Sequence, residues 1–172
     1  AARISAAPAL DRVVVAVDPP ATASGDACGI VVAGRSGESA YVLADWSVAG
    51  ASPAVWGARA VAAYEEFGAD RLVVETNQGG DMVRAVLSQI DKGLAIREAH
   101  ATRGKRLRAE PVAALYERGR VRHVGAFAAL EDEMTRFTGA KGENSPDRLD
   151  ALVWALTDLL LRGETAPRMR TL

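Results

Sequence analysis

The stretch Arg12-Val-Val-Val-Ala-Val-Asp18 is a β-branched run that closes on an acid and is stopped by Pro19-Pro20. Five apolar residues in succession, without polar alternation, predict a central strand buried on both faces, and the prolines cannot continue it. Working outward, residues 27–33 and 40–46 read as two more strands, joined as a hairpin across Gly34-Arg35-Ser36-Gly37. Ser52-Pro53 then opens a helix, with serine at the cap and proline at the first helical position, and Gly68 ends it.

Beyond this point the pattern alternates. Arg71-Leu-Val-Val-Glu75 is a second short buried strand closing on an acid, and Gly79/Gly80 lead into a helix reaching Ile90. Residues 94–99 read as a strand, 103–118 as a helix, 121–124 as a short extended piece and 126–137 as a helix. Ser145-Pro146 repeats the cap signal and opens a long apolar helix to Leu161. Three early strands form an antiparallel meander, and strands that alternate with helices pair in parallel. The expected architecture is α/β: a mixed five-stranded sheet flanked by helices, in one domain over residues 12–162. Residues 1–11 and 163–172 lack apolar periodicity and read as an N-terminal extension or linker and a C-terminal tail.

Composition bounds the chemistry. The 172 residues suffice for one domain with a real core. A single cysteine, Cys28, allows no internal disulfide, and with only two histidines a zinc cluster is disfavoured. Cys28 reads as a small core residue, and Trp46, Trp56 and Trp154 as core aromatics. No apolar run approaches the roughly 18 residues that span a bilayer. The chain contains no G-x-x-x-x-G-K-[ST] loop and no G-x-G-x-x-G after the first strand, which disfavours nucleotide-binding folds built on them. The start, Ala1-Ala2-Arg3-Ile4, has neither an initiator methionine nor a signal-peptide pattern and reads as a piece of a longer chain.

The net charge of −1 argues against a generic nucleic-acid binder, but it conceals a segregation. Residues 97–122 carry eight Lys/Arg against Glu98, Glu110 and Glu117, a net +5, which leaves −6 on the remainder. The cluster Arg103-Gly-Lys105-Arg106-Leu-Arg108 could hold phosphates. On the acidic side, Asp18 and Glu75 each end a strand, and sites in open α/β sheets gather beyond the carboxyl ends of parallel strands. Ser145-Pro-Asp147-Arg-Leu-Asp150 places two acids three apart at a helix start, on neighbouring positions. Carboxylates without histidine or cysteine form a hard-oxygen set suited to Mg²⁺ or Mn²⁺ rather than Zn²⁺. Two such ions about 4 Å apart can clamp the attacking and leaving oxygens of a phosphodiester. Each acid also has a plain structural reading, as a turn residue or a helix-entry acid favoured by the dipole. Asp150, inside an apolar helix, is the hardest to explain that way. Asp45, at another strand end, is a candidate auxiliary.

These pieces together resemble the ribonuclease H-like nuclease domain of large terminase subunits, the DNA-packaging motors of tailed phages and gene transfer particles. The resemblance rests on Val-Ala-Val-Asp18-Pro-Pro, Val-Val-Glu75-Thr-Asn-Gln-Gly-Gly, Ser-Pro-Asp147-Arg-Leu-Asp150-Ala-Leu-Val-Trp, Ala44-Asp45-Trp46-Ser47 and the cluster at 105–108. It implies that Asp18, Glu75 and Asp150 are catalytic ligands of two divalent ions, with Asp147 a nearby ligand or helper. Some relatives carry a histidine where this chain has Glu143-Asn144-Ser145. The DNA backbone would lie on Arg103, Lys105, Arg106, Arg108 and the Gly79/Gly80 turn. The implied role is cutting concatemeric double-stranded DNA in the host cytoplasm, at the procapsid portal. The implied partners are an N-terminal ATPase domain of the same protein, the portal protein and the small terminase subunit, with no membrane involved. A structure-selective resolvase-type nuclease and a non-catalytic docking module of the same fold are the alternatives.

Overall fold

In the computed structural model, residues 2–20, 27–76, 80–102, 104–138 and 146–162 are described, with the backbone alone at 80–82. The strands are β1 (Ala2–Ile4), β2 (Arg12–Asp18), β3 (Ala27–Ser36), β4 (Ser39–Asp45), β5 (Val48–Ala49), β6 (Arg71–Glu75), β7 (Ile96–Ala99) and β8 (Val121–Val124). The helices are α1 (Pro53–Glu66), α2 (Gly80–Ile90), α3 (Lys105–Glu117), α4 (Ala128–Arg136) and α5 (Asp147–Leu156), the last continued by a π-helical turn, Thr157–Leu161. The sheet order is β1-β8-β4-β3-β2-β6-β7, with β5 paired to β3. β2, β3 and β4 form the antiparallel meander, while β6, β7, β8 and β1 join in parallel.

The five expected strands are all present. Three short ones enlarge the sheet to eight: β5, the extended piece β8, and β1, so the sheet begins before Arg12. The hairpin differs in one respect. β3 runs on through Gly34 to Ser36, and the turn falls at Gly37, whose φ is +57°. Gly34 is not a turn glycine; a Cβ there would lie 2.5 Å from the Leu10 side chain, so this glycine serves close packing.

β2 explains the layering. Val14 and Ala16 face a core made with α3, α4 and α5, whereas Val15 and Val17 face a second core made with α1 and α2. Both sides of the strand are therefore dry, as its unbroken apolar run requires. Helix α1 starts with Ser52 at the cap position and Pro53 inside, but the Ser52 hydroxyl makes no capping bond.

Candidate functional site

Strand β2 pairs in parallel with β6 so that Val17 lies opposite Val74. The next residues, Asp18 and Glu75, therefore close the two strands side by side, about 4.8 Å apart in the pairing direction. Alternation puts both on the α5 side of the sheet, with Ala16 and Val73.

Helix α5 reaches the same rim because of a glycine. Asp18 pairs with Gly29 of β3, and a Cβ on Gly29 would lie only 1.9 Å from the Asp147 carbonyl oxygen and 3.1 Å from the Ala151 methyl. The first turn of α5 thus rests directly on the β3 backbone. That brings Asp147, and Asp150 one turn along, next to Asp18. Glu133 of α4 fastens this turn. Its Oε2 accepts from the Arg148 amide at 2.9 Å and the Leu149 amide at 3.1 Å, and its Oε1 accepts from the Arg148 guanidinium at 3.0 Å. Two amides at the helix start are thereby satisfied, as a cap would do. The Arg148 Nε also donates to Asp45 at 3.1 Å, while the other Asp45 oxygen accepts from the Ser47 amide. Asp45, the candidate auxiliary, thus helps hold α5 through Arg148.

The electrostatics of the cluster follow from this convergence. Burial pushes the Asp18 carboxyl well above the ordinary range, and the charges of Asp150, Glu75 and Asp147 push it further; the Lys105 ammonium opposes them. Cys28 lies on the opposite face, and burial with the nearby charges of Asp18 and Asp147 pushes its thiol well above the ordinary range. It stays protonated, which leaves it no thiolate for nucleophilic work.

The basic run from 97 to 122 does not form one surface. The ammonium of Lys105, at the start of α3, contacts Asp150 Oδ2. Arg108, one turn on, brings its Nη2 to 3.7 Å from Asp150 Oδ1 and lays its guanidinium 4.7 Å over the Trp154 ring. Asp150 is 5% exposed, and two cations meet the cost that burying it alone would carry. Arg106 is exposed and pairs with Glu110, Arg97 turns to the buried Asp158 at 3.1 Å, and Arg120 donates to the Glu38 carbonyl. Gly80 begins α2; Arg103 and Gly79 lie outside the described residues. Sequence reasoning missed Gly29, Glu133 and Arg148. Arg148 stands between the two acids of the motif, yet its partners are 15 and 103 residues away.

The four acids are all-oxygen donors, carry mutual repulsion, and so fit a hard divalent cation in chemistry. Among the described residues, no three His, Cys, Asp or Glu side chains are arranged to hold an ion.

Comparison with known proteins agrees with this architecture. The large terminase nuclease of thermophilic phage G20c superposes with a TM-score of 0.69 at 18% identity, covering 86% of this chain and 82% of that one. The large terminase of a second thermophilic bacteriophage gives 0.72 at 13% identity, and this chain spans only 43% of its length while 92% of this chain is covered. The P22 large terminase nuclease domain gives 0.64 at 16%, over 89% and 84%. Structures of the G20c nuclease hold zinc, cobalt or magnesium, and a human cytomegalovirus terminase nuclease domain was soaked with manganese. No curated protein sequence is significantly similar. The model of the terminase RNaseH-like domain matches residues 15–159, a span that runs from β2 through the acids of α5 and into the π turn, and the chain belongs to that family.

Proposed function

We propose that this chain is a divalent-metal-dependent DNA endonuclease that cuts double-stranded DNA during genome packaging. The observation that carries the reading is the convergence of Asp18, Glu75, Asp147 and Asp150 at one rim, with Asp18 held against its own ionisation by burial and by the charges of its neighbours. Metal-bound structures of related nucleases support the choice of a divalent ion; Mg²⁺ or Mn²⁺, two ions per site, suits the all-carboxylate donor set.

Asp18, Glu75 and Asp150 would hold the metal, with Asp147 beside them as a further ligand or helper. When bound, the ions supply a Lewis acid and a source of hydroxide for phosphodiester hydrolysis. The protein's own part is to set the carboxylates on rigid elements. Two come from the ends of paired strands, and two from a helix start clamped by Glu133 and Arg148. Arg106 is exposed on the first turn of α3, where a backbone phosphate can be met without reading sequence, whereas Lys105 and Arg108 are turned to Asp150. The packaging role rests on family membership, and with it the DNA concatemer as substrate. So do the ATPase domain, portal protein and small terminase subunit as partners, and the host cytoplasm as the place. No helix among the described residues is long and apolar enough to cross a membrane.

The test is Asp18→Asn. Mn²⁺-dependent nicking of plasmid should be abolished, and a variant that nicks at the wild-type rate would overturn the reading. The same substitution should raise the melting temperature of the metal-free chain at pH 7. The sign follows from linkage: the folded-state carboxyl lies above its ordinary 3.8, so the unfolded chain loses this proton first, and stability falls as pH rises from 3.8 to the folded-state value and stays lower beyond it.

A further inference from the structure

The contact between Lys105 and Asp150 has the form of a cation already sitting on a metal ligand. The ammonium meets Asp150 Oδ2. A lysine placed to grip DNA would present its charge outward; this one turns into the acidic cluster. Pro111 lies inside α3 and deprives the Leu107 carbonyl of its helical partner. The half beyond it is anchored by the buried Val112 and Leu115, whereas none of residues 105–110 is fully buried, and Leu107 is 54% exposed. The exposed first turn, residues 105–107, can therefore move while Arg108, Ala109 and the residues beyond Pro111 stay packed.

We propose that Lys105 is a built-in counter-ion that competes with the divalent cation for Asp150, so that metal loading requires the first turn of α3 to withdraw its ammonium. This rests on the reading of the acidic cluster as a metal site. In the metal-free chain the ammonium offsets the repulsion among the carboxylates, and on loading it is released at the rim, where it can meet the backbone of a nucleic acid. Arg108 does not take its place: its guanidinium is 14% exposed and lies against Trp154.

The experiment is a calorimetric titration of the folded, DNA-free chain with Mn²⁺. Lys105→Gln should bind Mn²⁺ about fivefold more tightly, the upper scale of a partly exposed ion pair. Arg106→Gln removes the same charge from an exposed neighbour and should stay near the wild-type affinity. A second measurement uses the unaltered protein. The chain has three lysines, Lys92, Lys105 and Lys141, and reductive methylation read by mass spectrometry should show Lys105 becoming more reactive than Lys92 as Mn²⁺ is added. Wild-type affinity in Lys105→Gln, an equal gain in Arg106→Gln, or a Lys105 reactivity that ignores Mn²⁺ would each overturn the proposal. Failure of the underlying site reading shows separately, as unchanged Mn²⁺ affinity in Asp18→Asn.

Discussion

At the scale of single residues, the site depends on one missing side chain as much as on four carboxylates. Gly29 is opposite Asp18 in the sheet, and its lack of a Cβ allows the Asp147 carbonyl to approach the β3 backbone. The 1.9 Å separation leaves no room for even a methyl group, and the obstructing atom is backbone, which cannot rotate away. Gly29→Ala should therefore push the start of α5 off the sheet, costing about 3 kcal/mol of stability. It should also separate Asp147 and Asp150 from Asp18. Urea denaturation and the nicking assay check the two effects together; an unchanged midpoint would show that α5 does not rest on this glycine.

At the scale of elements, α5 joins chemistry to core. Its first turn bears the acids, and its remainder, from Leu149 to Leu156, is buried without interruption. The π turn that follows holds Asp158 between Arg97 at 3.1 Å and Arg71 at 3.8 Å, on the starting side of β6 and the middle of β7. The helix is thus tied near both ends by charges from other elements. At the end that bears the acids the tie is Glu133, which does for α5 what the hydroxyl of a capping residue usually does. Glu133→Ala should cost about 1–2 kcal/mol by uncapping the helix. It should also lower nicking activity, since Arg148 keeps only Asp45 as a partner. Thermal melting and cleavage, read side by side, distinguish this from a purely local effect: an unaltered melting temperature would refute the capping role.

At the scale of the whole molecule, the far edge of the sheet is held by a polar chain remote from the acids. Tyr116 donates its hydroxyl to His123 Nε2 at 2.8 Å, and His123 donates from Nδ1 to Glu131 at 2.9 Å, with this tautomer assigned from the bonds themselves. Glu131 also receives Arg3 of β1. Arg3 first, and His123 after it, hold the Glu131 carboxyl down at about 2, against an ordinary 4.5. Burial lowers His123, which stays neutral at pH 7. The unfolded chain takes up a proton at Glu131 as pH falls through 4.5 while the folded chain does not, so stability drops between pH 4.5 and 2. Urea midpoints at pH 7 and pH 3 should differ less in Glu131→Gln than in the wild type. Equal differences would mean that this chain of bonds does not tie β1 to the edge.

Local pattern made much of this protein legible from its residues alone. The unbroken apolar runs at 13–17 and 72–74 could satisfy water-free surroundings only as central strands, and Asp18 and Glu75 had to lie at their ends. The apolar stretch after Asp150 could only be a buried helix. Those conclusions need no knowledge of distant partners, because hydrophobic periodicity and chain-breaking residues act over a few positions. Tertiary structure decided the rest. Gly34 reads as a turn until Leu10 is seen packed against it, and the basic segment reads as one surface until Lys105 and Arg108 turn inward to Asp150 while Arg97 turns to Asp158. The pairing of Arg148 with Asp45 spans 103 residues and that of Arg3 with Glu131 spans 128. Contacts of that range are set by how strands and helices stack, and a charge carries no local mark of the opposite charge it will meet.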